Sequence, residues 1–353
     1  MQVRPMRLRF AQPVRTSRGE FRDREVVLVE LRDADGLAGF GEAAPWPGFR
    51  TETAEQARSA LSAAAARLAG AEVEPQQEGG DALPRHAHAA RAALQGALWD
   101  LEARRAGRPL AVELAAQGTA TPGAPLRQVA ASALLVAHEP AAVREEAIRA
   151  RTAGHRAAKL KLGALPLALD VVRVRAAREG VGPLVRLRAD ANGVWSLDEA
   201  RAALEALAEF DLEYLEQPVA AEDFAGLAQL RGLGLGRIAA DESVAAEDSA
   251  LRLIESGAVD VVVLKPAMLG GPRRALEIAA TARRCGISVV FSHAFETAVG
   301  ARHVLHCAAA WGDTAVAHGL VTSGLFENDV AAAVASHQGR VELDDAPGLG
   351  ITP

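Results

Sequence analysis

From Val129 to about His318 the chain repeats one unit: a short apolar segment, a turn, then an amphipathic helix rich in Ala, Leu and Arg. The period is about 25 residues, which is the spacing of βα units in a closed parallel barrel. Apolar segments end near Val136, Lys161, Asp190, Glu216, Asp241, Lys265, Ser292 and His318. Eight such units close one barrel. Helices between them, such as Leu197 to Phe210 and Pro272 to Cys285, each carry an apolar stripe and a charged face. The expected fold class is α/β, a (β/α)8-type barrel preceded by an N-terminal α+β capping domain.

The residues ahead of the repeat read differently. Val3 to about Glu42 alternates as strands do around Val27 to Leu31, with a turn at Asp35-Gly36. Helices are expected from Glu52 to Leu68 and from about His86 to Arg105, joined by a polar connector from Glu72 to Asp81 and ended by Gly107-Arg108-Pro109. The tail from Val330 holds one strand and a Pro-Gly loop, expected to return to the N-terminal unit. The organisation expected is a capping domain over 1–127, a barrel over 128–325 and a returning segment over 326–353.

Half of the 353 residues are hydrophobic and the net charge is −6, enough for a large core and no reason to expect nucleic acid as a partner. A small-molecule carboxylate fits better, and a homo-oligomer is compatible with the composition. The start, MQVRPMRLRF, has no apolar leader, and no stretch reaches the length of a membrane span. A cytoplasmic location, with no membrane partner, is the expectation. Cys285 and Cys307, the two cysteines, read as buried thiols.

Among 39 basic residues the only lysines are Lys159, Lys161 and Lys265. Solvated surface charge does not distinguish the two bases, but arginine cannot be deprotonated in a protein and so cannot shuttle a proton. Lysine persisting at three positions therefore points to a need for an amine. All three lie at strand ends, at the face where barrel active sites are built. Lys159 and Lys161 end the second strand two residues apart, so both side chains enter the barrel while Leu160 faces outward.

Asp190, Glu216 and Asp241 end the third, fourth and fifth strands, and Lys265 the sixth. Three convergent carboxylates repel one another in a cleft unless a cation holds them, and three hard oxygen donors suit Mg²⁺, with Mn²⁺ as the alternative. A carboxylate substrate on such a cation has its α-proton acidified, because the enediolate left behind is stabilised. A lysine with its pKa depressed by a second lysine and the metal is suited to take that proton. Racemisation, β-elimination and cycloisomerisation all remain open to this constellation.

The motifs KLK, DAN, LEQP, DES and LKP, in this order and spacing, resemble the muconate-lactonizing-enzyme subgroup of the enolase superfamily, whose barrel is a modified TIM barrel. The resemblance spans nearly the whole chain. It implies metal binding by Asp190, Glu216 and Asp241, acid/base or anion-stabilising roles for Lys159, Lys161 and Lys265, and supporting roles for Asn192 and Glu242. Three segments are more narrowly similar to o-succinylbenzoate synthases, the dehydratases of menaquinone biosynthesis: RTSRGEF with GFGEAAPWPGFRTET, then SHAFETAVG, then HGLVTSGLFENDV. This similarity implies substrate contacts at Ser292, Glu296, Thr297, Gly319 and Leu320, with Gly300 matching the same pattern. It also implies a syn elimination in which Lys161 removes the α-proton and then protonates the leaving hydroxyl, while Lys265 stabilises the enediolate. Trp46 and Phe49 have two readings, substrate contact or packing between domains. His293 reads as a hydrogen-bonded strand-end histidine.

The same lysines permit an epimerase or N-succinylamino acid racemase, or a muconate cycloisomerase. Dipeptide epimerases carry an Asp-x-Asp pair after the eighth strand, which HGLVTSGLFEND lacks. A sugar-acid dehydratase would need a histidine base paired with a sixth-strand aspartate, and VVVLKP offers none. A non-catalytic barrel would be expected to lose one of the six ionisable residues, and all six are present.

Overall fold

In the computed structural model, the chain is described except at residues 17–18, 47–48, 50, 72, 74, 76–81 and 119–122, and the side chains of residues 15 and 16. Most of the expected 72–81 connector, and Pro47 and Gly48 of the capping loop, lie outside the described residues. The N-terminal meander is an antiparallel sheet, β1 (Gln2–Thr16), β2 (Gly19–Arg32) and β3 (Ala38–Ala43), in the order β1-β2-β3. Asp33 Oδ1 accepts from the amides of Asp35 and Leu37 and so closes the β2–β3 turn.

Helix α1 (Ala54–Leu68) starts at a capping box, Thr53 and Gln56 each satisfying the other's backbone amide. Helix α2 (His88–Arg105) is alanine-rich and almost wholly buried beneath β3. The closeness of β3 to α2 is set by Gly39 and Gly41: a Cβ at Gly41 would overlap the Ala93 carbonyl of α2. Gly41→Ala is expected to cost roughly 3 kcal/mol, since the clash is with backbone that cannot rotate away. A lowered urea midpoint at an unchanged m-value would show it; an unchanged midpoint would contradict this packing.

A short helix with no expectation in the sequence, α3 (Leu110–Ala116), follows Pro109. Next comes β4 (Gln128–Ala130), and then the barrel. Its elements are β5 (Ala133–Leu135), α4 (Pro140–Thr152), β6 (Ala157–Lys161), α5 (Leu167–Val181), β7 (Arg186–Asp190), α6 (Leu197–Leu207), β8 (Leu212–Glu216), α7 (Phe224–Gly232), β9 (Ile238–Ala240), α8 (Glu247–Ser256), β10 (Val261–Leu264), α9 (Pro272–Arg284), β11 (Ser288–Phe291) and α10 (Ala298–Trp311). Strands β5 to β11 form one parallel sheet in sequence order. A large core of Leu, Val, Ile and Ala packs between this sheet and the surrounding helices.

The expected eighth strand is much shorter than the others. His318 exchanges hydrogen bonds with Ala130 and Ser132 (2.8 Å each), Gly319 donates to Phe291 (2.9 Å), and His293 donates back to Gly319 (3.2 Å). These bridges, parallel on both sides, close the barrel between β5 and β11 with a segment of about two residues.

The first strand also differs from the reading that starts it at Val129. Residues of β4 pair antiparallel with β12 (Arg340–Glu342) in the tail, and the parallel sheet begins at Ala133. The tail then reaches the N-terminal helices, where Leu349 donates to Asp100 and Gly348 pairs with the chain at Arg108 and Leu110. Cys307 is buried as expected, but Cys285 is exposed, because it caps the end of α9 where the chain meets solvent. No helix among the described residues is long and apolar enough to cross a membrane.

Candidate active site

Period-2 geometry brings the strand-end residues together. Lys159 and Lys161 of β6, Glu216 of β8, Asp241 after β9 and Lys265 after β10 line one cavity of about 400 Å³ at the C-terminal end of the sheet, and Asp190 of β7 lies behind them against Lys161. Ligand oxygens of Asp190, Glu216 and Asp241 lie within 4.8 Å of one another, and all three residues are buried. Lys159 Nζ donates to both Glu216 oxygens (2.8 and 3.1 Å) and lies 3.2 Å from Asp190. Lys161 Nζ donates to Asp190 Oδ2 (2.7 Å) and Asn192 Oδ1 (2.9 Å). Across the cavity, Lys265 is bonded to Asp241 and lies 4.6 Å from the centre of the Phe49 ring.

Burial, and then the adjacent Asp190 charge, push the Glu216 carboxyl up to about 7. Burial likewise raises Asp241, partly opposed by Lys265. At Asp190 burial is outweighed by Lys161 and Lys159, which hold the carboxyl well below the usual range. Burial works to strip the Lys159 proton, but Glu216 and Asp190 win and raise its pKa well above that of a free lysine. The carboxylates, not the second lysine, dominate the surroundings of Lys159.

Asn192 and Glu242 extend this network. Asn192 adopts φ 49°, which turns its side chain back so that Oδ1 receives Lys161 while Nδ2 donates to Glu242 Oε1 (3.1 Å). Ser292, Gly319 and Leu320 line the cavity, as do Trp46, Phe49, Leu134, Ala294, Phe295 and Leu325. Trp46 packs between the domains as one of its readings expects, against Phe21 of β2 and Phe295 of the barrel (4.7 and 5.5 Å between centroids).

Glu296 and Thr297 are placed elsewhere. Both are fully buried and do not line the cavity. Thr297 caps α10 and gives its amide and hydroxyl to Glu42 of β3 (3.0 and 2.5 Å), and Gly300 adds a third donor (2.9 Å). These are contacts between sheet and barrel. Arg24 of β2 completes them, donating to the barrel carbonyls of Phe295 (3.3 Å) and Ala294 (3.4 Å) as well as to those of Ala44 (2.6 Å) and Pro45 (2.5 Å) beside β3. Neither Glu42 nor Arg24 was singled out by the sequence; the available signal was a carboxylate inside the apolar, glycine-rich segment GFGEA.

His293 sits beside this cluster. Its Nε2 lies 3.1 Å from the Val321 carbonyl and its Nδ1 accepts from the Phe295 amide (3.2 Å), so the ring ties the seventh and eighth strand loops together. Burial pushes its pKa down to about 4, so it is neutral at pH 7.

Burial, and then Glu42, push Glu296 up to about 7. A carboxyl raised in the folded state above its unfolded value of 4.5 adds stability that is fully present below pH 4.5 and lost as pH rises to 7. Glu296→Gln, which mimics the protonated acid, is expected to be more stable than the parent above pH 7 by on the order of 3 kcal/mol, and equal to it near pH 4. Denaturant unfolding across pH 4 to 8 checks this; parallel curves for the two proteins would contradict it.

Three buried hard-oxygen donors on adjacent strands, their ligand oxygens within 4.8 Å of one another and Glu216 pushed up to about 7 by burial and the Asp190 charge, fit a divalent cation. Residues 1–114 match the mandelate racemase / muconate lactonizing enzyme N-terminal domain, and residues 142–353 match the enolase C-terminal domain-like family. The chain belongs to the enolase superfamily, muconate-lactonizing-enzyme subgroup, and is an enzyme.

Its relatives within that class point in two directions. It is 30% identical to a hydrophobic dipeptide epimerase of Enterococcus faecalis, over 99% of this chain and 98% of the relative. It is 31% identical to an o-succinylbenzoate synthase of Geobacillus stearothermophilus, over 99% and 91%. A synthase of Thermobifida fusca is 42% identical, over 54% of this chain and 60% of the relative. A crystal structure of the E. faecalis epimerase, complexed with Mg and the dipeptide L-Leu-L-Tyr, superposes with a TM-score of 0.89 at 28% identity, covering 100% of this chain and 98% of that one.

Proposed function

We propose that this enzyme is an o-succinylbenzoate synthase, dehydrating 2-succinyl-6-hydroxy-2,4-cyclohexadiene-1-carboxylate to o-succinylbenzoate. The observation that carries this reading is the division of the cavity. Lysines flank the carboxylate triad on two sides, while the wall beyond it, from Trp46 and Phe49 to Leu134, Ala294, Leu320 and Leu325, is apolar. Among the described lining residues the carboxylates are Glu216 and Asp241 of the triad and Glu242 beside it, so no described carboxylate on the far wall pairs with the free ammonium of a dipeptide. A ring-bearing acid without an amine suits such a wall.

Asp190, Glu216 and Asp241 would hold Mg²⁺, or Mn²⁺ in its place, which supplies positive charge for the substrate carboxylate and offsets the oxygens that otherwise retain the lysine protons. Lys161, aimed by Asp190 and Asn192, takes the α-proton and returns it to the departing hydroxyl on the same face. Lys265 faces it from the sixth strand and stabilises the negative charge that develops. Lys159 keeps its proton between Glu216 and Asp190 and adds fixed positive charge. Trp46 and Phe49 cover the cavity and exclude water.

The second reading, epimerisation of dipeptides or of N-succinylamino acids, is favoured by the full-length similarity to the E. faecalis enzyme. Incubation in D₂O with Mg²⁺ separates the two. A dehydratase is expected to leave the α-proton of L-Leu-L-Tyr and of N-succinyl amino acids unexchanged over many dehydration turnovers. Rapid incorporation of deuterium into either would overturn the assignment and place the enzyme among the epimerases or racemases.

A further inference from the structure

A second cavity, of about 460 Å³, opens at the opposite, N-terminal end of the barrel. It exists because the eighth strand is reduced to a bridge and because the side chains packed there are Ala130, Ala157 and Ala317, where barrels ordinarily carry large branched residues. Arg151, Arg156 and Arg186 line it, and no Asp or Glu is among its described lining residues. That local excess of positive charge stands against a chain whose net charge is −6.

Arg186 is held in place by Glu213 (3.0 Å) and by the Ala315 carbonyl (2.6 Å). The Arg151 and Arg156 side chains, by contrast, have no hydrogen-bond or ion-pair partner among the described residues. His155 lines both this cavity and the catalytic one; its Nδ1 is committed to the Ala131 carbonyl and its Nε2 is turned toward Ser336, so it forms the wall between them and is not a free donor.

We propose that this cavity is a binding site for a phosphate group, distinct from the catalytic site and independent of which reaction that site performs. Guanidinium groups are planar forks that pair bidentately with phosphate oxygens, and a phosphate dianion balances an unneutralised arginine pair where a single carboxylate would leave charge over. The alanine floor, with Val185 and Val316 beside it, leaves room for an apolar substituent on that phosphate. Free phosphate and a phosphate monoester share this chemistry.

Calorimetric titration of the magnesium-loaded enzyme with inorganic phosphate and with phenyl phosphate tests the site. The expected result is saturable binding that weakens at least tenfold in R151Q/R156Q and persists in K161Q, with the turnover of R151Q/R156Q unchanged. Tighter binding of phenyl phosphate would identify an ester as the ligand, and equal binding would identify free phosphate. Binding retained by R151Q/R156Q, binding lost in K161Q, or no binding of either probe at millimolar concentration would overturn the proposal. Both arginines are exposed, and an unchanged melting temperature for the double variant would show that its fold is intact.

Discussion

Lys161→Arg is expected to lower turnover by about 10³-fold while the protein remains folded. Arginine keeps the positive charge facing Asp190 and Asn192, so the ion pair survives, but the guanidinium cannot give up a proton at any working pH. Charge and base are thereby separated. Circular dichroism and the melting temperature should match the parent, and single-turnover kinetics should show the loss in the chemical step. Activity within tenfold of the parent would mean that Lys161 acts through its charge alone, and the proton would have to be taken by another group.

Glu216→Gln is the second change with a large expected effect, and it reads the metal. Glu216 is fully buried and centrally placed between Lys159 and the other two carboxylates. Losing one of three anionic ligands should weaken Mg²⁺ at least about 100-fold, since even indirect partners of a metal ligand are worth 10- to 100-fold. The parent should show a melting temperature that climbs with Mg²⁺ concentration, because the cation binds only the folded state. In Glu216→Gln that rise should vanish at millimolar Mg²⁺ and activity should fall with it. A variant still stabilised by Mg²⁺ like the parent would place the cation elsewhere.

Much of this was legible in the sequence because strand geometry is periodic. The positions of Lys159 and Lys161 two residues apart, and of Asp190 and Glu216 at strand ends, followed from the alternation of side chains and from the βα spacing. The persistence of three lysines among 39 basic residues was a compositional sign of the same site, and the structure gathers all three around one cavity.

What was not legible depends on contacts distant in sequence. Glu296 and Thr297 belong to the segment that resembles a substrate loop, yet Thr297 is drawn to Glu42 some 255 residues earlier. No local pattern reports such a partner. The eighth strand, expected to end near His318, was overestimated because only His318 and Gly319 bridge to the neighbouring strands, and the chain beyond turns away until Leu325 to Glu327 meet the N-terminal sheet at Arg9 to Ala11.

The most direct test of the central claim is the dehydration itself: purified enzyme with Mg²⁺ and 2-succinyl-6-hydroxy-2,4-cyclohexadiene-1-carboxylate, followed by ultraviolet absorbance, beside N-succinylamino acid and dipeptide substrates followed by polarimetry. Rapid, Mg²⁺-dependent conversion to o-succinylbenzoate, with a kcat/KM well above that for either competing substrate, is the predicted result. No dehydration alongside efficient inversion of a dipeptide or an N-succinylamino acid would contradict it.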